Sequence, residues 1–180
     1  MNIAWKHRLI ALKSMLFVAA MALSGVLPAQ TITDEGIRLR LKTASVVVIG
    51  QVEKVEATGM GWAMGATMYI ARIRVRSAVR GRVRSEVYVL FAPGLGDEAS
   101  IDTNKNYVLF LAPNDLSLPA SVRTPGREFF RVAPPEGGVF LVAGDRLAEY
   151  SESACSFANR VAALSGNPSF DVSRCRRAMQ

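Results

Sequence analysis

The sequence predicts a mainly β protein, a small barrel or sandwich of five to six antiparallel strands followed by a C-terminal helix that one disulfide holds in place. Three observations predict this class. Short apolar segments recur through the middle of the chain, with turns rich in glycine, proline and asparagine between them. Near the C terminus the apolar residues change to helical spacing. Cys155 and Cys175 are the only two cysteines, and an even count in an exported chain favours a disulfide.

Residues 1–29 are typical of a secretory signal peptide. The bases Lys6, Arg8 and Lys13 precede an uncharged segment from Met15 to Leu27, and small residues follow. That segment is shorter than the roughly 20 residues that a membrane-spanning helix needs. We therefore expect cleavage after residue 29, an exported protein in the periplasm or outside the cell, and no transmembrane span in the remaining chain.

Removing this segment changes both the charge and the available chemistry. Its three cations leave with it, so 19 Lys and Arg remain against 15 Asp and Glu, a net charge of +4. The single histidine, His7, leaves as well. Histidine-activated nucleophiles, histidine general bases and histidine-ligated zinc are therefore excluded for the exported chain. We predict a protein that is not an enzyme and has no cofactor or metal.

Residues 30–43 are predicted to lead into the barrel as a short helix or a strand. Thr33 stands before two acids, and bases follow, which favours a capped helix with charges that match its dipole. The strict alternation of Ile37, Leu39 and Leu41 with bases would equally suit a strand. The helix is the reading that we favour.

Residues 44–143 carry the predicted barrel. The first strand, 44–57, begins apolar on both faces and changes phase near Glu53, which predicts a β-bulge, and Gly50 allows a sharp bend. A glycine-rich connection, 58–66, follows; it is either a plain hairpin loop or a contact surface centred on Trp62. The other predicted strands begin at residue 67 and span 86–92, 107–112, 127–133 and 139–143.

Residues 144–180 form the predicted C-terminal helix and a tail closed by the disulfide. Apolar residues recur at helical spacing between 151 and 164, so this helix should cover one side of the barrel. The Cys155–Cys175 bond should attach the last segment to it. A redox or metal role is disfavoured because the pair lacks C-x-x-C spacing.

The strand that begins at residue 67 is the main candidate for a binding surface. Arginines alternate with apolar residues along it, which indicates one buried face and one cationic face. Six arginines lie in a window without acids: Arg72, Arg74, Arg76, Arg80, Arg82 and Arg84. This face could bind an anion (nucleic acid, lipid head groups or acidic polysaccharide), or be a solvated edge strand whose charges prevent aggregation. Nucleic acid is disfavoured because no aromatic residue interleaves with the arginines.

Two acidic patterns in the sequence are typical of other kinds of site. Asp102, Asn104 and Asn106 have the spacing that opens a calcium loop, but the required glycine and glutamate are missing, so a turn is predicted instead. Asp97, Glu98 and Asp102 are the only acids clustered near a strand end, as a glycosidase would require. These acids lie in a loop beside small residues, and we expect no sugar-stacking aromatic residue close to them.

The order ASVVVIGQV, YIARIRVRSAVRG, EVYVLF and YVLFL, over about residues 44–112, resembles bacterial exported domains of the OB-fold class. These are similar in turn to the netrin-like module and the tissue inhibitors of metalloproteinases. The resemblance implies an OB-like barrel, where the strand pattern alone allows a barrel or a sandwich. Those inhibitors bind the protease zinc through an N-terminal cysteine. Here the mature chain would begin at Gln30 or Thr31, so that route of inhibition is not expected.

We therefore expect an exported, non-catalytic binding or envelope-associated module whose partner is a protein or an anionic component of the envelope. One alternative is a protein that binds an anionic surface or polyanion through the arginine strand. Another is a metalloprotease-inhibitor-like protein without the N-terminal cysteine.

Overall fold

The computed structural model describes residues 31–61, 65–93, 100–120, 122–123, 126–134, 137–167 and 170–179. The predicted signal peptide, residues 1–29, therefore lies outside the described residues. So do the candidate contact residue Trp62 and the acids Asp97 and Glu98.

Seven strands form one sheet that closes on itself. They are β1 (Val46–Gly61), β2 (Thr67–Arg80), β3 (Glu86–Phe91), β4 (Asn106–Pro113), β5 (Phe129–Val132), β6 (Val139–Ala143) and β7 (Arg146–Leu147). The order is β1-β2-β3-β5-β4-β6-β7, and β1 also pairs with β4. The first five strands therefore make a closed barrel, and β6 and β7 extend the sheet beyond β4. The predicted class, a mainly β protein built on a small barrel, is confirmed.

One strand pair departs from the antiparallel pattern. β3 and β5 run parallel, with Tyr88 opposite Phe129, whereas the other strand pairs of the sheet are antiparallel. A parallel pair needs a long connection, and the chain between β3 and β5 supplies it because it includes the whole of β4. The local sequence of short apolar strands carries no signal for this pairing.

The first half of β1 has a buried apolar residue on each face. Val46 and Val48 belong to the core inside the barrel, together with Ile73. Val47 and Ile49 belong to a second core, between the outside of the barrel and the helices. The continuous apolar run that begins β1 is therefore explained by two cores, one on each side of the barrel wall.

The second half of β1 contains the predicted irregularities. The register against β2 shifts between Val52 and Lys54, which confirms the bulge. A Cβ atom at Gly50 would lie 2.4 Å from Cγ2 of Ile73, so only glycine allows this close approach. The strand continues to Gly61 rather than ending at residue 57. The predicted connection was therefore too long, because backbone pairing with β2 extends through residues whose side chains carry no strand pattern.

Three helices cover one side of the barrel: α1 (Asp34–Leu41), α2 (Ala154–Leu164) and α3 (Val172–Met179). The helix reading of the lead-in segment is confirmed, and Thr33 caps it by accepting a hydrogen bond from the Gly36 N–H at 3.1 Å. Ser153 caps α2 in the same way, at 3.1 Å from the Ser156 N–H. No part of the described chain forms a helix long and apolar enough to cross a membrane.

The predicted disulfide is confirmed. It joins Cys155 in α2 to Cys175 in α3, with 5.8 Å between the two Cα atoms. Both cysteines are buried in the core beneath the helices, where the ring of Phe157 packs 5.1 Å from that of Phe140. The bond therefore attaches α3, which the sequence indicated only as a tail, to the layer that covers the barrel.

Candidate functional site

The arginine strand, β2, lies in the interior of the sheet. It pairs with β1 along one side and with β3 along the other. The reading of these arginines as the charges of an exposed edge strand is therefore wrong. Its physical basis fails because both rows of β2 backbone groups are already paired within the barrel.

Two arginines on the outer face of β2 are held by carboxylates of the neighbouring strands. Arg72 Nε lies 3.1 Å from a Glu53 carboxylate oxygen and 3.9 Å from one of Glu86. Arg74 also forms an ion pair with Glu53. The Glu53 side chain is only 15% exposed, and it belongs to the residue at the bulge. The predicted bulge was the signal that could have placed this acid among the arginines.

Two further arginines of β2 hold the helices against the barrel. Arg76 donates from Nη1 to the Ala178 carbonyl of α3 at 2.9 Å and from Nη2 to Gln51 Oε1 at 2.8 Å. Arg80 donates to the Leu41 carbonyl, at the C-terminal end of α1, at 2.7 Å. These hydrogen bonds satisfy carbonyl groups near the C-terminal ends of α3 and α1, which would otherwise lack partners. Their roles in the described structure are structural contacts.

The last two arginines of the window follow β2. Arg84 donates to the Gly126 carbonyl and lies 3.8 Å from a Glu128 carboxylate oxygen. Arg82 is exposed, and no hydrogen bond or ion pair joins it to another described residue. Five of the six arginines therefore contact carboxylates, a side-chain amide or backbone carbonyls within the described structure.

A cleft of about 350 Å³ lies on the outer wall of the barrel, and we call it the outer-wall cleft. Residues of β1, β2 and β3 form its floor, and the connection between β4 and β5 contributes the rest. Its lining residues are Lys54, Glu56, Ala57, Thr58, Ile70, Arg72, Tyr88, Val122 and Arg127. Only Arg72 among these was a candidate from the sequence, because the cleft joins segments that are distant in the chain.

Tyr88 and Arg127 form a stacked pair in the outer-wall cleft. The Arg127 guanidinium carbon lies 4.5 Å from the centre of the Tyr88 ring, and Phe129 packs 5.4 Å from the same ring. The Tyr88 hydroxyl donates a hydrogen bond to the Glu86 carboxylate. Burial, and then that bond, raise the pKa of Tyr88, so this ring stays neutral in physiological conditions. Tyr88 is only 7% exposed, so the part of this pair that solvent reaches is the Arg127 guanidinium.

The charges of the outer-wall cleft leave one cation open. Lys54 and Glu56 form an ion pair at 2.6 Å; the hydrogen bond from Lys54 lowers the pKa of Glu56, and the positive charge of Arg127 adds to this. Arg72 is paired as described above. Arg127 is exposed and forms no ion pair with any carboxylate of the described residues.

A second cleft, of about 300 Å³, contains Asp102. Tyr150 and Glu149 also line it, and the Tyr107 hydroxyl accepts a hydrogen bond from the Asp102 N–H at 2.9 Å. Aromatic rings therefore do lie close to Asp102, contrary to the sequence-based expectation, because β4 and the segment after β7 bring them there. Asn104 has a φ of 64°, as expected of a turn. No three metal-ligating side chains gather within the described parts of the chain.

No protein-family model matches the chain, and no curated protein matches it. The proposed function of the chain therefore rests on its own residues and on the geometry of the two clefts.

Proposed function

We propose that the exported chain is a non-catalytic binding module that contacts another protein through the outer-wall cleft. The observation that carries this proposal is the exposed Arg127 guanidinium, stacked 4.5 Å above the buried ring of Tyr88 and beside two half-buried apolar side chains, Ile70 and Val122. Arginine is among the residue types that contribute most to protein interfaces, and here aromatic and apolar neighbours support it. The partner would place a carboxylate on Arg127.

The packing of the barrel supports an external binding site. Buried side chains such as Val48, Ile73 and Leu109 belong to a continuous core inside the barrel. A ligand therefore has to bind outside the barrel wall, where both described clefts lie. The loss of His7 with the predicted signal peptide supports the non-catalytic part of the proposal, since it removes histidine from the exported chain.

The test is affinity capture of partners from the envelope and medium of the source cells, with crosslinking and quantitative mass spectrometry. Arg127→Glu reverses the open charge of the cleft without touching either core. We expect this variant to lose the partner that the unaltered exported protein captures. Turnover by the same preparation on a broad panel of hydrolase substrates would contradict the proposal.

Arg123→Glu is the matched control. Arg123 is exposed on the same β4–β5 connection and does not line the outer-wall cleft. The Arg123→Glu variant therefore has the same change of charge on the same segment of the chain. Equal loss of the partner in both variants would show that the cleft is not the contact site.

A further inference from the structure

One basic surface of the described residues that remains open lies on α3. Three elements pack together on this side: β2, α2 and α3. None of them contains a carboxylate. The exposed arginines of α3, which we call the α3 patch, are Arg174, Arg176 and Arg177.

The other arginines of these three elements have partners. Those of β2 are held as described above. In α2, Arg160 bonds to Asp34 at 2.7 Å and to Glu152 at 2.7 Å. By contrast, no side chain of the α3 patch forms an ion pair or hydrogen bond within the described residues.

The nearest acid in the sequence, Asp171, is already occupied. Its carboxylate accepts hydrogen bonds from the backbone N–H groups of Ser173 at 2.8 Å and Arg174 at 3.1 Å. Arg176 and Arg177 lie in the last turn, where cations stabilise a helix through its dipole. The helix dipole does not explain Arg174, because this residue lies near the positive N-terminal end of α3. Stability of the helix therefore does not explain the whole patch.

We propose that the α3 patch docks the protein on an anionic lipid bilayer. The three charges lie within two turns of one exposed helix, a convex surface that fits a flat anionic layer. No aromatic residue lies within α3 to stack nucleic-acid bases. The apolar side chains Val172 and Met179 pack against the core beneath the helices. The helix therefore adsorbs by charge and does not insert.

The geometry of the patch is fixed before binding. The Cys155–Cys175 bond and the 2.9 Å hydrogen bond from Arg76 to the Ala178 carbonyl both hold α3 in place. Little ordering entropy is then lost when α3 meets a surface. This proposal does not depend on the outer-wall cleft, so a result that contradicts either proposal does not contradict the other.

The experiment measures sedimentation of the exported protein with phosphatidylcholine vesicles containing about one third phosphatidylglycerol. Each basic residue near such a surface contributes about fivefold to partitioning. The variant Arg174→Gln, Arg176→Gln, Arg177→Gln should therefore bind roughly a hundredfold more weakly. The variant with lysine at all three positions should bind as the unaltered protein does. Binding should also fall steeply with added salt.

The charge-matched control is Arg38→Gln, Lys42→Gln, Arg123→Gln, which removes three exposed cations elsewhere. It should keep most of the vesicle binding. Equal loss in the two glutamine variants would reduce the effect to net charge and overturn the proposal, as would no binding by the unaltered protein. Loss of binding in the lysine variant would overturn it as well. Equally tight, patch-dependent binding to a single-stranded oligonucleotide would make the patch a general polyanion site and overturn the assignment to lipid.

Discussion

Removing the disulfide should lower stability by an amount that follows from the loop it closes. Alanine at Cys155 and Cys175 avoids placing hydroxyl groups in the core, where both cysteines are buried. The sequence separation is 20, and closing such a loop in the unfolded chain is worth about 3 kcal/mol. For a chain of this length each kcal/mol shifts Tm by roughly 2–4 °C. The double variant should therefore unfold about 6–12 °C lower.

Urea unfolding of the exported protein, followed by circular dichroism, measures the expected loss of about 3 kcal/mol in the free energy of unfolding. The unaltered protein in reductant should show the same loss as the double variant, which controls for effects of the alanine side chains. A loss of less than about 1 kcal/mol would refute the reasoning. In that case packing of Val172 and Met179, with the Arg76 bond to α3, would suffice to hold the helix.

Two further predictions concern the barrel. Gly50→Ala should cost about 1–3 kcal/mol of unfolding free energy, because its Cβ would lie 2.4 Å from Cγ2 of buried Ile73; an unchanged urea midpoint would contradict this. Tyr107→Phe should cost about 1 kcal/mol at neutral pH, since the hydroxyl bonds to the Asp102 N–H and the Ser100 carbonyl. Burial raises the pKa of the Tyr107 hydroxyl. The neutral hydroxyl therefore stabilises the folded protein below about pH 10, and this contribution is lost as the pH rises further. The variant should therefore lose less stability above that pH, and parallel pH curves for the two proteins would contradict the assignment.

The strands, the bulge and the first helix could be predicted because their signals are local. Thr33 precedes acids, which identifies the start of α1, and the change of phase near Glu53 identifies the bulge. Two cysteines in the whole chain leave one intramolecular pairing. Each of these features depends on residues that are close together in the sequence, or on a choice with a single outcome.

The candidate site could not be predicted in the same way. The arginines of β2 gave a clear pattern, but their partners Glu53, Glu86 and the ends of α1 and α3 come from other segments. The outer-wall cleft joins Lys54 to Arg127 only after the barrel closes. The sequence did not predict helix α3, because its eight residues are too few to form a stable helix alone. Its packing and the disulfide determine it.

The parallel pairing of β3 with β5 has a consequence for the order in which the barrel is made. As the chain is synthesised from its N terminus, β1, β2 and β3 can pair as soon as they appear, because they follow one another directly. Until β4 and β5 arrive, β1 and β3 each present an open edge of unpaired backbone groups. Closure between such distant segments is intrinsically slow. The interval before closure is therefore when this protein is most exposed to aggregation and to chaperones.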